Sequence, residues 1–215
     1  MTEYPSDAFL EACAAHLVAG RLAILPTDTV YGIVADASNE SAVRAIYEAK
    51  GKGVDAPLQL LFGPSVAQLS EFAELNHPAE LLVKELGPGG WTIVVAAKTG
   101  WSSAALAGGS TVGFRIPDSS AVHRVVEILG GPLAASSANR HGAASPTTCA
   151  EAVAQVGEFC ACALDGGSTV AALDSTVIDC SGPEVRILRE GAIDRRTIAR
   201  ILGLPSILVL RSVRP

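Results

Sequence analysis

Polar side chains suited to binding an anion follow apolar segments at two places in the chain. Thr29 ends a Thr-Asp-Thr sequence that comes directly after the apolar residues 22–25. Ser137 and Asn139 follow a second apolar segment. Ligand crevices of α/β proteins form at the carboxyl ends of strands, so these side chains are candidates for a binding site. The first sequence fits equally well a turn held by local side-chain hydrogen bonds.

Four cationic side chains could complete such a site. Lys50 and Lys52 flank a glycine after a predicted helix, where they could converge on one anion or simply stabilise the helix end. Arg115 lies inside an apolar strand pattern and needs an anionic partner, because an unpaired buried charge is costly. Arg189 raises the same question, with Glu190 as the simpler partner. Together the four cations and the hydroxyl groups predict an anion-binding crevice.

Helical and strand patterns alternate along the chain and predict an α/β fold with a mixed sheet. No repeat, low-complexity segment or change in composition divides the sequence, which favours one domain over residues 1–215. A turn at residues 181–183 predicts an antiparallel hairpin. The predicted helices cover about residues 6–20, 41–50, 66–75, 79–86, 119–129, 148–156 and 194–201, and the predicted strands cover about residues 22–25, 58–62, 91–97, 111–116, 132–136, 175–179 and 185–189.

Composition excludes several classes of protein. Hydrophobic residues make up 49% of the 215 residues and charged residues 18%, which argues against intrinsic disorder. The formal net charge of −6 argues against extensive, sequence-independent binding to nucleic acid or anionic lipid. The sequence lacks a phosphate-binding P-loop, a dinucleotide-binding glycine motif, a zinc-protease motif and a serine-hydrolase elbow.

The amino terminus and the cysteines indicate a cytoplasmic protein. Residues 1–7 have neither the basic start nor the apolar stretch of a signal peptide, and no apolar run is long enough to span a membrane. The number of cysteines, five, is odd, and the sequence contains no Cys-x-x-Cys pair, which fits reduced thiols. Strand alternation places Cys160 and Cys162 on one face, where packing is a more frequent role than metal binding.

Six sequence strings, in this order, resemble the YrdC/Sua5 family of threonylcarbamoyl-AMP synthases. They span residues 22–193, nearly the whole chain, and the chain resembles the short form of the family, without an extra carboxyl-terminal domain. The strings are Pro26-Thr27-Asp28-Thr29-Val30-Tyr31-Gly32, Lys50-Gly51-Lys52 with Pro57-Leu58, Val112-Gly113-Phe114-Arg115-Ile116-Pro117, Ser137-Ala138-Asn139, Ser175-Thr176-Val177 and Leu188-Arg189-Glu190-Gly191.

The resemblance implies a twisted mixed sheet with flanking helices and a large concave basic cavity. It also implies a nucleotidyltransferase reaction in which L-threonine, bicarbonate and ATP give threonylcarbamoyl-AMP and pyrophosphate. That product supplies the threonylcarbamoyl group for t6A37 in tRNA, which a separate transferase delivers, and direct tRNA binding is at most weak. Mg²⁺ is expected to ride on the ATP phosphates, because no carboxylate cluster suggests a protein metal site.

The resemblance also implies roles for individual residues. Lys50 and Lys52 are the implied catalytic residues. The residues implied to bind threonine are Thr29, Arg115, Ser175 and the backbone near Ala135. The residues implied to contact ATP are Lys50, Lys52, Thr111, Ser137, Asn139, Ser145 and Arg189.

The chain departs from the family pattern at four positions. Lys52 stands where the family usually has Arg, so the charge is kept but the bidentate fork is lost. Ala56 replaces the usual Asn or Lys before Pro-Leu. Gly90 stands in place of Pro, and His141 in place of Ser.

Two other functions remain open from the sequence. One is a noncatalytic RNA-binding module that uses the same basic concavity, although the net charge of −6 and the few aromatic residues count against it. The other is a relative that activates a carbamate made from carbamoyl phosphate. Such relatives usually form one domain of a longer chain with acylphosphatase-like or zinc-finger modules, which this sequence lacks.

Overall fold

A computed structural model describes residues 6–51, 53–54, 56–65 and 67–205. The α-helices in these residues are α1 (Asp7–Val18), α2 (Glu40–Lys50), α3 (His77–Leu86), α4 (Ser120–Leu129), α5 (Cys149–Val156) and α6 (Arg195–Ile201). The strands are β1 (Leu22–Leu25), β2 (Gly32–Asp36), β3 (Gln59–Leu61), β4 (Ala73–Glu74), β5 (Trp91–Ala97), β6 (Thr111–Arg115), β7 (Leu133–Ser137), β8 (Cys160–Ala163), β9 (Thr176–Asp179) and β10 (Arg186–Arg189). Short 3-10 turns cover Ala67–Glu71, Ala104–Leu106 and Gly157–Phe159.

The strands form one mixed sheet in the order β10-β9-β5-β6-β3-β7-β2-β1-β8, and β4 pairs with β5. Three neighbouring pairs, β5/β9, β3/β6 and β1/β8, run parallel. The predicted hairpin is confirmed, because β9 and β10 are antiparallel neighbours. The predicted α/β class with a mixed sheet is therefore confirmed.

Side chains before the helices fix where most of them begin. Asn39, Asn76, Ser119 and Thr148 each accept a hydrogen bond from a backbone N–H in the first helical turn, which satisfies a donor that the helix itself leaves unpaired. Ser6 occupies the same position before α1 but makes no capping hydrogen bond with its side chain. The helix predicted there nevertheless forms, because its apolar face is buried.

Two hydrophobic cores lie on opposite faces of the sheet. The larger core joins the strands to helices α2, α3, α5 and α6 through buried residues such as Ile46, Leu82 and Ile198, and Cys160 of β8 packs against its edge. The smaller core packs α1 and α4 on β1, β2, β7 and the end of β3. This smaller core ends at Leu61 and Ala135, and the rest of the same face is available for a site.

Two local predictions are wrong. A helix predicted over residues 66–75 is instead the 3-10 turn Ala67–Glu71 followed by β4, because residues 73–74 pair with the end of β5. Cys160 and Cys162 pack against different cores instead of lying on one face. The pairing of β8 with β1 has a register irregularity at this point, and such a bulge reverses the alternation of side chains.

Every helix in the described parts of the chain is too short or too polar to cross a lipid bilayer.

Candidate active site

A cavity of about 290 Å³ lies on the part of the sheet face beyond the smaller core. It collects residues that are far apart in the sequence, from the turn after β1 to the end of β10. Its walls are formed by Thr29, Val30, Pro57, Leu58, Gln59, Thr92, Val94, Thr111, Gly113, Arg115, Ala135, Ser136, Ser137, Asp174, Ser175, Val177, Leu188 and Arg189. Seven of the predicted site residues are among them: Thr29, Thr111, Arg115, Ala135, Ser137, Ser175 and Arg189.

The register of the sheet explains why these residues share one side. Gln59 on β3 lies opposite Gly113 on β6 and opposite Ala135 on β7. Residues two apart on a strand point to the same face, so Thr111 and Arg115 stand on the same side as Gly113. The floor of the cavity is therefore a row of strand residues, and small residues flank Gln59 on both sides.

Arg115 is almost fully buried, with 2% of the residue exposed. Three protein acceptors fix its guanidinium. Its Nε donates to the Gly89 carbonyl at 2.9 Å, its Nη1 to Thr29 Oγ1 at 2.7 Å and its Nη2 to Asp28 Oδ1 at 2.5 Å. Burial lowers the pKa of the guanidinium and the Asp28 carboxylate opposes that change, so the group stays charged. A guanidinium has five N–H groups, and two of these have no acceptor within the described residues.

Thr29 is left able to accept a hydrogen bond but not to donate one. Thr27 Oγ1 donates its proton to the Val30 carbonyl at 2.7 Å. The 2.9 Å contact between the hydroxyl groups of Thr27 and Thr29 must therefore use the proton of Thr29. Because Arg115 takes one lone pair of Thr29 Oγ1, this buried hydroxyl keeps a single lone pair without a donor among the described residues.

A second chain of hydrogen bonds crosses the opposite wall. Arg189 Nη2 donates to Ser175 Oγ at 3.1 Å, and Ser175 Oγ lies 2.8 Å from Thr92 Oγ1. Thr92 in turn donates to Gln59 Oε1 at 2.8 Å. Thr92 uses its single hydroxyl proton on Gln59, so Ser175 must donate to Thr92. Because Ser175 Oγ also accepts from Arg189, one of its lone pairs remains for a ligand.

Two predicted site residues lie behind the cavity wall and not on it. The Lys50 ammonium donates to the carbonyls of Ser137 and Asn139 at 2.6 and 2.8 Å and to Asn139 Oδ1 at 3.1 Å. Asn139 Nδ2 donates both its protons to the carbonyls of Arg140 and Ala143. Both side chains are buried, and their contacts fix the backbone of the loop after β7.

Ser145 and Lys52 are the two remaining predicted site residues. Ser145 stands outside the cavity lining but donates to Asp174 Oδ1 at 3.1 Å, and Asp174 is part of the wall. Oδ2 of Asp174 also lies 3.7 Å from Nη1 of Arg189, so the wall carries a carboxylate beside its second arginine. Lys52 lies outside the described residues.

Sequence reasoning missed four residues of this region: Asp28, Gln59, Thr92 and Asp174. Asp28 belongs to a motif already singled out, but its role as the partner of Arg115 depends on the fold. Gln59 is an isolated polar residue in an apolar strand, a signal that could have identified it. Thr92 is a common strand residue and gives no such signal.

A second, larger cavity of about 410 Å³ lies on the other side of the Thr-Asp-Thr turn. Its wall contains the carboxylates of Asp28 and Asp118, and none of its described lining residues is Lys or Arg. Such a wall repels anionic ligands. The cavity that contains Arg115 and Arg189 is therefore the better candidate for an anionic substrate.

Comparison with known proteins agrees with this geometry. A family model named for Sua5, YciO and YrdC, and described as telomere recombination, matches residues 15–191. A Mycobacterium tuberculosis relative is 37% identical over 86% of this chain and 85% of its own length. The Bacillus subtilis threonylcarbamoyl-AMP synthase is 34% identical over 92% of this chain, which spans 58% of that longer protein.

A solved structure gives the same result in three dimensions. Pyrococcus abyssi Sua5, crystallised in complex with L-threonine, superposes with a TM-score of 0.89 at 33% sequence identity. The superposition covers 94% of this chain and 59% of the archaeal one. With the family match across residues 15–191 and these identities, the chain belongs to the YrdC/Sua5 family.

Proposed function

We propose that this protein is a threonylcarbamoyl-AMP synthase, which converts L-threonine, bicarbonate and ATP into threonylcarbamoyl-AMP and pyrophosphate. The observation that carries the proposal is that Arg115, Ser175 and Arg189 line one cavity from distant strands. Relatives from Bacillus subtilis and Pyrococcus abyssi bear this name, and Pyrococcus abyssi Sua5 binds L-threonine. The product would supply a separate transferase that makes t6A37 in tRNA.

The reaction asks little covalent chemistry of the protein. The threonine amine attacks bicarbonate and gives a carbamate and water. A carbamate oxygen then attacks the α-phosphorus of ATP, and the bond to the leaving pyrophosphate breaks. Charge neutralisation, alignment and exclusion of water supply the rate in such a transfer. A cavity built from fixed arginines and hydroxyl groups provides these three functions.

The amino-acid end of the site is assigned to Arg115, Thr29 and Ser175. The two unused N–H groups of Arg115 suit the threonine carboxylate. Asp28 fixes the orientation of the guanidinium without occupying these donors. The single lone pairs left on Thr29 and Ser175 suit the N–H groups of the substrate nitrogen. Ala135 is small enough for the substrate to approach its backbone closely.

The nucleotide end is assigned to Thr111, Ser137 and Arg189, with ATP entering as its Mg²⁺ complex. Arg189 is partly exposed at the rim, where it can contact the phosphates. Lys50 and Asn139 act as positioning residues, because their polar groups hold the loop that carries Ser137. Lys52 adds a second positive charge after the same helix, and Ser145 acts through Asp174.

The proposal is tested by incubating the pure protein with ATP, L-threonine and bicarbonate. Mass spectrometry should detect threonylcarbamoyl-AMP, and pyrophosphate release should require all three substrates. Ser175→Ala should reduce product formation, because it removes an acceptor in the cavity wall and breaks the chain to Thr92. Ser102→Ala, at an exposed serine, is the matched control and should behave like wild type. The absence of the mixed anhydride with wild-type protein would overturn the proposal.

A further inference from the structure

Gln59 places an amide on the floor of the cavity where its neighbours have almost no side chain. Its partners across the sheet are Gly113 and Ala135. A Cβ atom built on Gly113 would lie 4.0 Å from the Gln59 Cβ, so the glycine leaves room beside the amide. The amide therefore faces a space that a ligand can enter.

The hydrogen bond that Thr92 donates determines which atom of the Gln59 amide meets that ligand. Thr92 donates to Gln59 Oε1, and Thr92 is itself 4% exposed and held by Ser175. The amide oxygen is thus engaged by the protein. The two protons on Gln59 Nε2 have no acceptor in the parts of the chain that the structure describes, and Gln59 lines the cavity.

The other polar groups of the cavity already match most of the amino-acid substrate. On the proposed function, Arg115 takes the carboxylate, and Thr29 and Ser175 accept from the substrate nitrogen. The group of threonine that still needs a partner is its side-chain hydroxyl. One wall group that has no acceptor among the described residues is the Nε2 amide of Gln59.

We propose that Gln59 is a specificity-determining residue that donates a hydrogen bond from Nε2 to the side-chain hydroxyl of the amino-acid substrate. This inference rests on the proposed function and adds to it a reason for selecting a hydroxy amino acid. A substrate without the hydroxyl would cover the amide and leave its N–H groups unpaired, and sites built to bind a hydroxyl reject such analogues strongly.

The test compares L-threonine with L-2-aminobutyrate, which has the same carbon skeleton without the hydroxyl. Pyrophosphate release gives kcat/KM for both substrates with wild type, Gln59→Leu and Gln59→Glu. Leucine removes both polar atoms, whereas glutamate keeps an acceptor for Thr92, removes the two N–H donors and adds a negative charge. Both variants should lower the preference for threonine by about tenfold or more, since the lost contact exists only with the hydroxyl.

The ratio of the two substrates separates specificity from a general loss of activity or folding. Gln68→Leu is the matched control, because Gln68 is a half-buried residue whose Nε2 donates to the Gly130 carbonyl away from the cavity, and it should keep the wild-type ratio. If wild type forms threonylcarbamoyl-AMP and both Gln59 variants keep its preference, the role of Gln59 is refuted and the proposed function stands. If wild type forms no product with either substrate, the proposed function fails first and the role of Gln59 with it.

Discussion

One face of the sheet is used in two different ways along its width. On β1, β2 and β7 the face carries apolar side chains such as Leu25 and Val34, and helices α1 and α4 cover them. On β3, β5 and β6 the same face carries Gln59, Thr92 and Gly113, and a cavity lies above them. The backbone pairing continues without a break across both halves.

The difference shows that side-chain chemistry, and not strand pairing, decides which half becomes a site. Apolar surface is stabilised when a helix removes it from water. A row with an amide, a hydroxyl and a glycine offers a helix little apolar area, and a helix above it would bury the Nε2 amide of Gln59, which has no acceptor among the described residues. Substitutions in the covered half should therefore change stability alone, whereas substitutions in the open half should also change substrate binding.

Among substitutions in the open half, we expect replacement of Arg115 to have the largest effect. Arg115→Ala removes one member of a buried ion pair and leaves the Asp28 carboxylate without its partner. We expect the free energy of unfolding to fall by about 3–5 kcal/mol, which denaturant titration measures. We also expect the threonine KM to rise by about a hundredfold, because the carboxylate of the threonine substrate loses its charged partner.

Two further variants keep this expectation testable if the alanine variant unfolds. Arg115→Lys retains a charge but loses the planar fork, so it should raise the threonine KM and leave the ATP KM near its wild-type value. Arg44→Ala removes an exposed arginine that pairs with Glu40 on the surface, and it should change neither quantity. A normal threonine KM in Arg115→Lys would remove Arg115 from the amino-acid site.

Leu17 tests the covered half. It lies on α1, is fully buried and belongs to the smaller core. Leu17→Ala should lower the free energy of unfolding by about 2–5 kcal/mol, because it removes buried methyl groups and leaves a void. At a temperature where the variant is folded, the threonine KM should remain at the wild-type value.

The control for Leu17 lies one residue further along the same helix. Val18 is 65% exposed, and Val18→Ala should leave both stability and KM nearly unchanged. A large change in threonine KM for folded Leu17→Ala would mean that the two halves of the face are coupled.

Strand and helix patterns predicted most of this architecture because buried segments repeat at regular spacing. The predicted helix over residues 66–75 failed because pairing of Ala73–Glu74 with β5 outweighs a local helical pattern. The sequence patterns do not predict strand β2, because its residues directly follow a polar motif that is typical of a binding loop. In both places a partner distant in sequence decides the outcome.

Seven of the residues predicted from the sequence line one cavity, but the contacts among them could not be predicted. Arg115 stood out because a charge inside an apolar strand requires a partner. Nothing in the sequence reveals that the Lys50 ammonium binds the carbonyls of Ser137 and Asn139, because that depends on where the loop after β7 passes. Gln59 gave a weaker signal than Arg115, since a neutral amide costs less to bury than a charge.

Of the substitutions expected to affect substrate binding, Gly113→Ala should change stability least. It therefore distinguishes an effect on binding from an effect on folding most clearly. A Cβ atom on Gly113 would lie 3.4 Å from Thr92 Cγ2 and 3.8 Å from Val94 Cγ2, which are ordinary contacts. Gly113→Ala should therefore fold normally, with a stability within about 1 kcal/mol of wild type in thermal unfolding. The added methyl group lies on the cavity floor beside Gln59, so the threonine KM should rise. Gly182→Ala makes the same change in the β9–β10 turn, where a Cβ atom would meet no atom of the described residues within 4 Å, and it should leave KM unaltered. An equal KM for these two variants would show that the floor at Gly113 does not contact the substrate.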